Sequence, residues 1–296
     1  MEHRKGIWLA VAAYTFWGVI PIFWKALDAV PALELVAHRI IWSVPVLFAI
    51  IAVRHRLRAL RSAYRSPGTA ATALVAGLLL SVNWGVFVWA VTSGHIVGAS
   101  LGYFINPLVS VALGVVVLHE RLSPAQRIAI GIAAVGVVAM TVIAGVVPWI
   151  SLVLAFSFGT YGLLKKQETA ASALEGLFME IAFIATPALI YLAVLAGSGT
   201  GALGSSPKMT VLLIAAGGVT VFPLLLFGAA AKRIPLSTLG ILQYLAPTLQ
   251  LLVGVLLYGE EISRGEWIGF VLVWVALAIF TADNARIHNT ARTRTT

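Results

Sequence analysis

The sequence predicts an all-α membrane protein of ten transmembrane helices arranged as two inverted five-helix repeats, and three observations carry that prediction. Of the 296 residues, 60% are hydrophobic and only 10% are charged, whereas a water-soluble chain keeps about 25% charged to face solvent. Apolar runs of the length needed to cross ~30 Å of hydrocarbon, about 20 residues each, recur along almost the whole chain. The chain also matches itself at an offset near 140 residues. A soluble globule is excluded, and ten such runs leave no room for a second, soluble domain. The chain has no cysteine, which excludes a disulfide framework, thiolate metal sites and thiol catalysis.

The runs lie near residues 6–27, 34–53, 70–92, 98–118, 127–145, 148–164, 175–196, 209–231, 237–258 and 266–283. The first follows Arg4 and Lys5, lacks a small-residue cleavage site and carries Trp, Tyr and Pro, so it reads as a retained span and not as a signal peptide. The third and fourth runs are joined through the short stretch 93–97, and the fifth and sixth around Pro148.

Charge then sets the orientation. With the N-terminus cytoplasmic, the inner segments collect Arg4, Lys5, Arg54, Arg56, Arg58, Arg61, Arg65, Arg121, Arg127, Lys165, Lys166, Lys232, Arg233, Arg286, Arg292 and Arg294. The outer loops hold only Lys208 and Arg264, while Lys25 and Arg39 lie within spans. This loop-by-loop alternation puts both termini on the cytoplasmic side of the cell membrane. The formal charge of +9 is therefore an orientation signal, and the basic 54–66 loop and the 284–296 tail read as surfaces for anionic lipid and not for nucleic acid.

The self-match divides the chain into a first unit over 6–145, a second over 148–283 and the cytoplasmic tail. At an offset of 140, Asn106-Pro107 meets Ala246-Pro247, Glu120 meets Glu260, and Ser123 meets Ser263. At 138, Ser100-Leu-Gly102 meets Thr238-Leu-Gly240, and at 142, Ala13-Tyr-Thr-Phe16 resembles Ala155-Phe-Ser-Phe158 and Pro45 meets Pro187. A near-constant offset outweighs any single identity. Because five helices cross the membrane an odd number of times, two successive copies enter it from opposite sides. Exchanging the conformations of two such halves converts an outward-open form into an inward-open one, which is the physical basis of alternating access.

Polar and aromatic residues inside the spans mark a solute path. Pro21, Pro45, Pro107, Pro187, Pro223 and Pro247 fall within spans, and each frees a backbone carbonyl that must find another partner. Pro107 and Pro247 occupy matching places beside Tyr103, Asn106, Gln243 and Tyr244, polar groups that would lack partners in lipid and are expected to face the interior. Tyr14, Trp17, Asn83, Trp84 and Tyr161 offer aromatic surface with a hydrogen-bonding edge. Trp8, Trp149 and Trp267, near span ends, read as interfacial anchors.

Charged groups within spans are costly, roughly 2.5 to 3.5 kcal/mol each if unpaired. Lys25 is expected to reach the interface beside Asp28. His38 and Arg39 lie deep in the second span, and Glu180 equally deep in the seventh. Inverted repeats set Arg39 and Glu180 at different depths, so Arg39 is expected to meet Glu34 or a substrate carboxylate, and Glu180 is a candidate proton site. Ser123, and Ser263 with Glu266, read as helix N-caps. The spacings Gly98-xxx-Gly102, Ala73-xxx-Gly77 and Ala129-xxx-Ala133 read as close helix packing.

There is no glycine-rich phosphate loop, no metal-spaced His or carboxylate cluster and no nucleophile elbow. No cofactor is implied, and transport would be coupled to a proton or solute gradient. Two other readings are a membrane-embedded enzyme acting on lipid, which needs acid and base groups at one depth, and a scaffold subunit, which needs a larger interaction surface than these short loops offer.

The chain resembles the RarD family, EamA-domain transporters of the drug/metabolite transporter superfamily. The residues carrying the resemblance are Ala13-Tyr14, Phe16-Trp-Gly18, Pro21, Trp24-Lys25, His38-Arg-Ile-Ile-Trp-Ser43, Asn83-Trp84, Ser100-Leu-Gly-Tyr-Phe-Ile-Asn-Pro-Leu108, Tyr161-Gly-Leu-Leu-Lys165 and Gln243-Tyr-Leu-Ala-Pro-Thr248. It runs from about residue 4 to 283 and thins in the 197–208 loop and the tail. It implies export of amino acids or other small metabolites through a central cavity lined by the first, third, fourth, sixth, eighth and ninth helices, with the fifth and tenth as peripheral supports.

Overall fold

In the computed structural model the described residues are 2–93, 95–145, 149–168, 172–259 and 264–293, and every regular element among them is an α-helix. The first rod is α1 (Glu2–Val19) and α2 (Pro21–Lys25), followed by α3 (Ala32–Val53), a short α4 (Leu57–Arg65), α5 (Pro67–Thr92), α6 (Ile96–Val116) and α7 (Pro124–Ala144). The second half comprises α8 (Trp149–Gln167), α9 (Ala173–Ser198), α10 (Pro207–Ala231), α11 (Leu236–Leu242) with α12 (Leu245–Tyr258), and α13 (Arg264–Thr293). Eight stretches among the described residues are long and apolar enough to cross a membrane, with α1–α2 and α11–α12 each forming one. Of the ten expected spans, the fourth shows only the shorter apolar stretch Ser100–Val116, and the sixth, α8, ends in Lys165 and Lys166.

Proline decides where rods break. Pro21 cannot donate to the Trp17 carbonyl, so α1 stops, and the Gln250 side-chain amide fills the vacated acceptor at 3.1 Å. Pro247 leaves the Gln243 carbonyl free in the same way, and it is taken by the Ala246 N–H at 3.1 Å in a tighter turn between α11 and α12. Pro107, at the matching place in the first half, lies within an unbroken α6.

Two expected features differ. The 54–66 loop contains α4, which buries Leu60 and Ala63 and exposes Arg58 and Arg61, an amphipathic pattern suited to lying along an interface. The helix expected to end at 283 continues to Thr293, so most of the basic tail extends α13.

Helix pairings repeat when the halves are exchanged. α1 packs on α10 as α8 packs on α5, α10 on α3 as α5 on α9, and α6 on α8 as α11–α12 on α1. The pairs α3 with α9, α6 with α11 and α7 with α13 map onto themselves. Glycines permit two equivalent close crossings. A Cβ on Gly77 would meet the Glu180 carbonyl oxygen at 2.7 Å, and one on Gly217, exactly 140 positions later in the chain, would meet the Trp42 carbonyl oxygen at 2.5 Å. The Tyr244 hydroxyl donates to the Phe104 carbonyl at 3.1 Å, joining two positions that match at the same offset. Both α5 and α10 open on Ser-Pro, at Ser66-Pro67 and Ser206-Pro207.

The largest core lies among α1, α3, α5, α8, α9, α10 and α11. A second joins α7 and α13 to each other and to α6 and α11, with Ala129 and Ala133 wholly buried, so these two helices pack on one edge of the bundle. Ser123 caps α7 in a full capping box with Gln126, and its hydroxyl donates to Asp283 at 2.6 Å. Ser263 and Glu260 lie outside the described residues. Glu120 reaches the start of α11, accepting from the Leu236 N–H at 2.6 Å and from the Ser237 N–H and hydroxyl at 2.8 and 2.6 Å.

Candidate functional site

Where the halves meet, the broken rods and the Gly-packed helices leave a cavity of about 880 Å³, within the roughly 300–1,000 Å³ common for small-molecule sites. The first half lines it with Tyr14, Trp17, Trp24, Arg39, Asn83, Trp84, Phe87, Tyr103 and Asn106, and the second with Leu154, Phe158, Thr220, Leu224, Gln243, Pro247 and Gln250. Lys25 and Asp28 form an ion pair of 3.3 Å, each side chain 62% exposed, and mark its mouth with Tyr258.

The walls are aromatic with few polar points. Asn83 is fixed by donating to the Leu154 carbonyl at 2.9 Å and the Ser157 hydroxyl at 3.0 Å. Asn106, only 5% exposed, has a side-chain oxygen without a hydrogen-bond partner. Arg39 stands between two indoles, its guanidinium carbon 4.9 Å from the Trp24 ring centroid and 4.8 Å from that of Trp84, and its Nε donates to the Thr220 hydroxyl at 3.0 Å. The expected partner Glu34 does not reach it. Glu34 accepts from the Ala202 N–H at 2.6 Å and lies 3.6 Å from His38, because positions four apart share a helix face and positions five apart do not.

The floor is closed in two layers. Tyr14 donates to the Leu239 carbonyl at 3.1 Å, and Trp17, Phe158, Tyr161 and Phe227 pack ring on ring at 5.2–5.8 Å. Below them, Lys165 donates to Glu180 at 2.6 Å and to Glu168 at 2.8 Å, and Tyr161 donates to Glu180 at 3.0 Å. Gly176 and Gly228 make room for this cluster, since a Cβ on either would press on Lys165. Lys166 donates to the Ile234 carbonyl at 2.7 Å, bracing the end of α10.

The cavity therefore gathers Tyr14, Trp17, Lys25, Arg39, Asn83, Trp84, Tyr103, Asn106, Gln243 and Pro247. Tyr161 and Glu180 belong to the buried cluster beneath it, Tyr244 is fully buried against α6, and His38 accepts from Trp42 at 3.3 Å beside Glu34. Pro107 is absent from the lining; its carbonyl lies where Gly240 packs, 2.8 Å from where a Cβ would stand. Sequence reasoning passed over Thr220 and Gln250, each an isolated polar residue in an apolar run. The helix set implied by the resemblance leaves out the second span, although Arg39 on that span is expected to meet a substrate carboxylate, and its helix α3 does supply Arg39 to the cavity.

The family model described as EamA-like transporter family matches residues 4–142 and again 147–282. The chain is 46% identical over 295 residues to Protein RarD of Streptomyces exfoliatus, covering 99% of this chain and 93% of that one. It is 42% identical over 283 residues to Protein RarD of Escherichia coli K12, covering 95% of each. An uncharacterized transporter of Bacillus subtilis, YojE, is 43% identical over 289 residues, covering 96% of each. A solved crystal structure shares the fold with a TM-score of 0.74 at 19% identity, covering 94% of this chain and 98% of that one. The chain thus belongs to the EamA-like transporter family and, within it, to the RarD group, as an integral membrane transporter of the drug/metabolite transporter superfamily.

Proposed function

We propose that the chain is a secondary transporter of small amphipathic metabolites or amino acids, working by alternating access as an exporter or exchanger in the cytoplasmic membrane, with ten spans and both termini cytoplasmic. The observation that carries this reading is the aromatic, amide-bearing cavity shared by both halves, open at the Lys25–Asp28 end and closed at the Lys165 end. Positive charge gathers at the closed end, so by the positive-inside rule this form faces outward. Helix pairings that repeat on exchange of the halves support an inward-facing form of similar energy. In that form the Tyr14 and Tyr161 hydrogen bonds open, and the Lys165–Glu180–Glu168 cluster meets water, which suits it to proton coupling.

The test is a thermal-shift screen of amino acids and metabolites against detergent-purified protein, followed by counterflow in liposomes with each hit. Asn106→Ala, which leaves the ion cluster and helix caps intact, should fold normally and lose flux by about 10-fold or more. Wild-type flux from the reconstituted variant, or no counterflow with any stabilising solute, would refute the reading.

A further inference from the structure

We propose that Arg39 is an anion subsite within this cavity, and that the solute is a small monocarboxylate carried on an apolar or aromatic body. The inference rests on the reading of the cavity as a transport site and adds the charge and chemical class of its occupant.

Three observations meet at Arg39. The first is charge. Among the described residues lining the cavity, Lys25 and Asp28 neutralise one another at 3.3 Å, and no carboxylate lies within ion-pair distance of Arg39. A guanidinium held in a membrane protein without a counter-ion is costly, and an anionic solute removes that cost on entering.

The second is geometry. A guanidinium presents five N–H donors in its plane. Here Nε is used by Thr220, which leaves the four donors on the two terminal nitrogens without a protein acceptor among the described residues. The guanidinium carbon lies over the indoles of Trp24 and Trp84, at 4.9 and 4.8 Å from their centroids, and the unpaired terminal donors form a fork matched to the two oxygens of a carboxylate.

The third is the remaining wall. Indole and phenyl rings accept an apolar body. A single carboxylate on an apolar or aromatic body satisfies both the fork and the wall. One uncompensated positive charge balances a monoanion, whereas a phosphate dianion would leave a buried negative charge.

The test uses full-length purified protein and probes that share one phenyl body: 3-phenylpropanoate, L-phenylalanine, 3-phenylpropanamide and 2-phenylethylamine. Each is read by thermal shift and, in liposomes, by counterflow. The carboxylates should bind at least about 10-fold more tightly than the amide or amine. Arg39→Gln should abolish that preference while Arg39→Lys keeps part of it, because charge persists and the fork does not.

Equal or tighter binding of the amide or amine, no binding of either carboxylate, or an undiminished carboxylate preference in Arg39→Gln would each overturn the subsite. The wild-type series decides the question by itself if Arg39→Gln does not fold. Carboxylate binding without counterflow would sink the transport reading and keep the subsite. Counterflow of the neutral amide, independent of Arg39, would do the reverse.

Discussion

Replacing Lys165 with Met removes the cation at the centre of the buried cluster while keeping most of its volume. Lys165 is 2% exposed at its side chain, and its carboxylate partners Glu180 and Glu168 are 1% and 4% exposed. Glu180 would keep only the Tyr161 hydroxyl, and Glu168, one of whose oxygens already lacks a hydrogen-bond partner, would keep Lys232 at 3.4 Å. Removing one partner of a buried ion pair costs about 3–5 kcal/mol, because the other charge stays buried. At roughly 2 °C per kcal/mol for a chain of this size, the unfolding midpoint should fall by about 6–10 °C. The assay is scanning fluorimetry of purified protein in one detergent, at one pH. Glu180→Gln preserves an acceptor for Tyr161 while removing the charge, so the Lys165→Met/Glu180→Gln double variant should lose at least about 1 kcal/mol less than the two single losses added. A midpoint drop of under about 2 °C for Lys165→Met, or simple additivity, would refute the reasoning by showing the cluster to be solvated.

Glu120→Ala strips three acceptor contacts from the start of α11 and should cost about 1–2 kcal/mol in the same assay, as for loss of a helix N-cap. Gly217→Ala forces a Cβ to within 2.5 Å of the Trp42 carbonyl oxygen and should cost about 1–3 kcal/mol as overpacking. Gly85→Ala, with nothing within 4 Å of the new Cβ, should leave the midpoint within about 1 °C, providing a control of the same chemistry. Tyr244→Phe deletes one buried hydrogen bond across the halves and should lose about 1 kcal/mol, without the flux defect of Asn106→Ala.

Much of this arrangement is legible in one dimension, for particular reasons. Span positions follow from uninterrupted apolar runs, and the interior placement of Asn83, Asn106 and Gln243 follows from the cost of leaving an amide in lipid. The pairing of Lys25 with Asp28 and the capping by Ser123 are local, at spacings of three residues.

What stays hidden is three-body placement. Lys165 looks like a loop charge at a span end, yet Gly176 and Gly228, from two other helices, open the space that buries it. Glu180 is then claimed by that lysine, and Tyr161 with it. Tyr244, next to Gln243 in sequence, turns away from the cavity because the chain between α11 and α12 tightens before Pro247. Arg39 loses Glu34 to His38 by a single helical position, and that displacement leaves its guanidinium facing the cavity.

The account depends most on the two halves standing in opposite directions across the membrane. Gly68 and Lys208 occupy matching exposed places, each second in a helix that begins with proline and 140 positions apart. The chain has no cysteine of its own, so Gly68→Cys and Lys208→Cys can be labelled one at a time in intact cells with a membrane-impermeant maleimide. Labelling of residue 208 from outside, with residue 68 reacting only after permeabilisation, is the expected result; reaction of both from the same side would contradict the account.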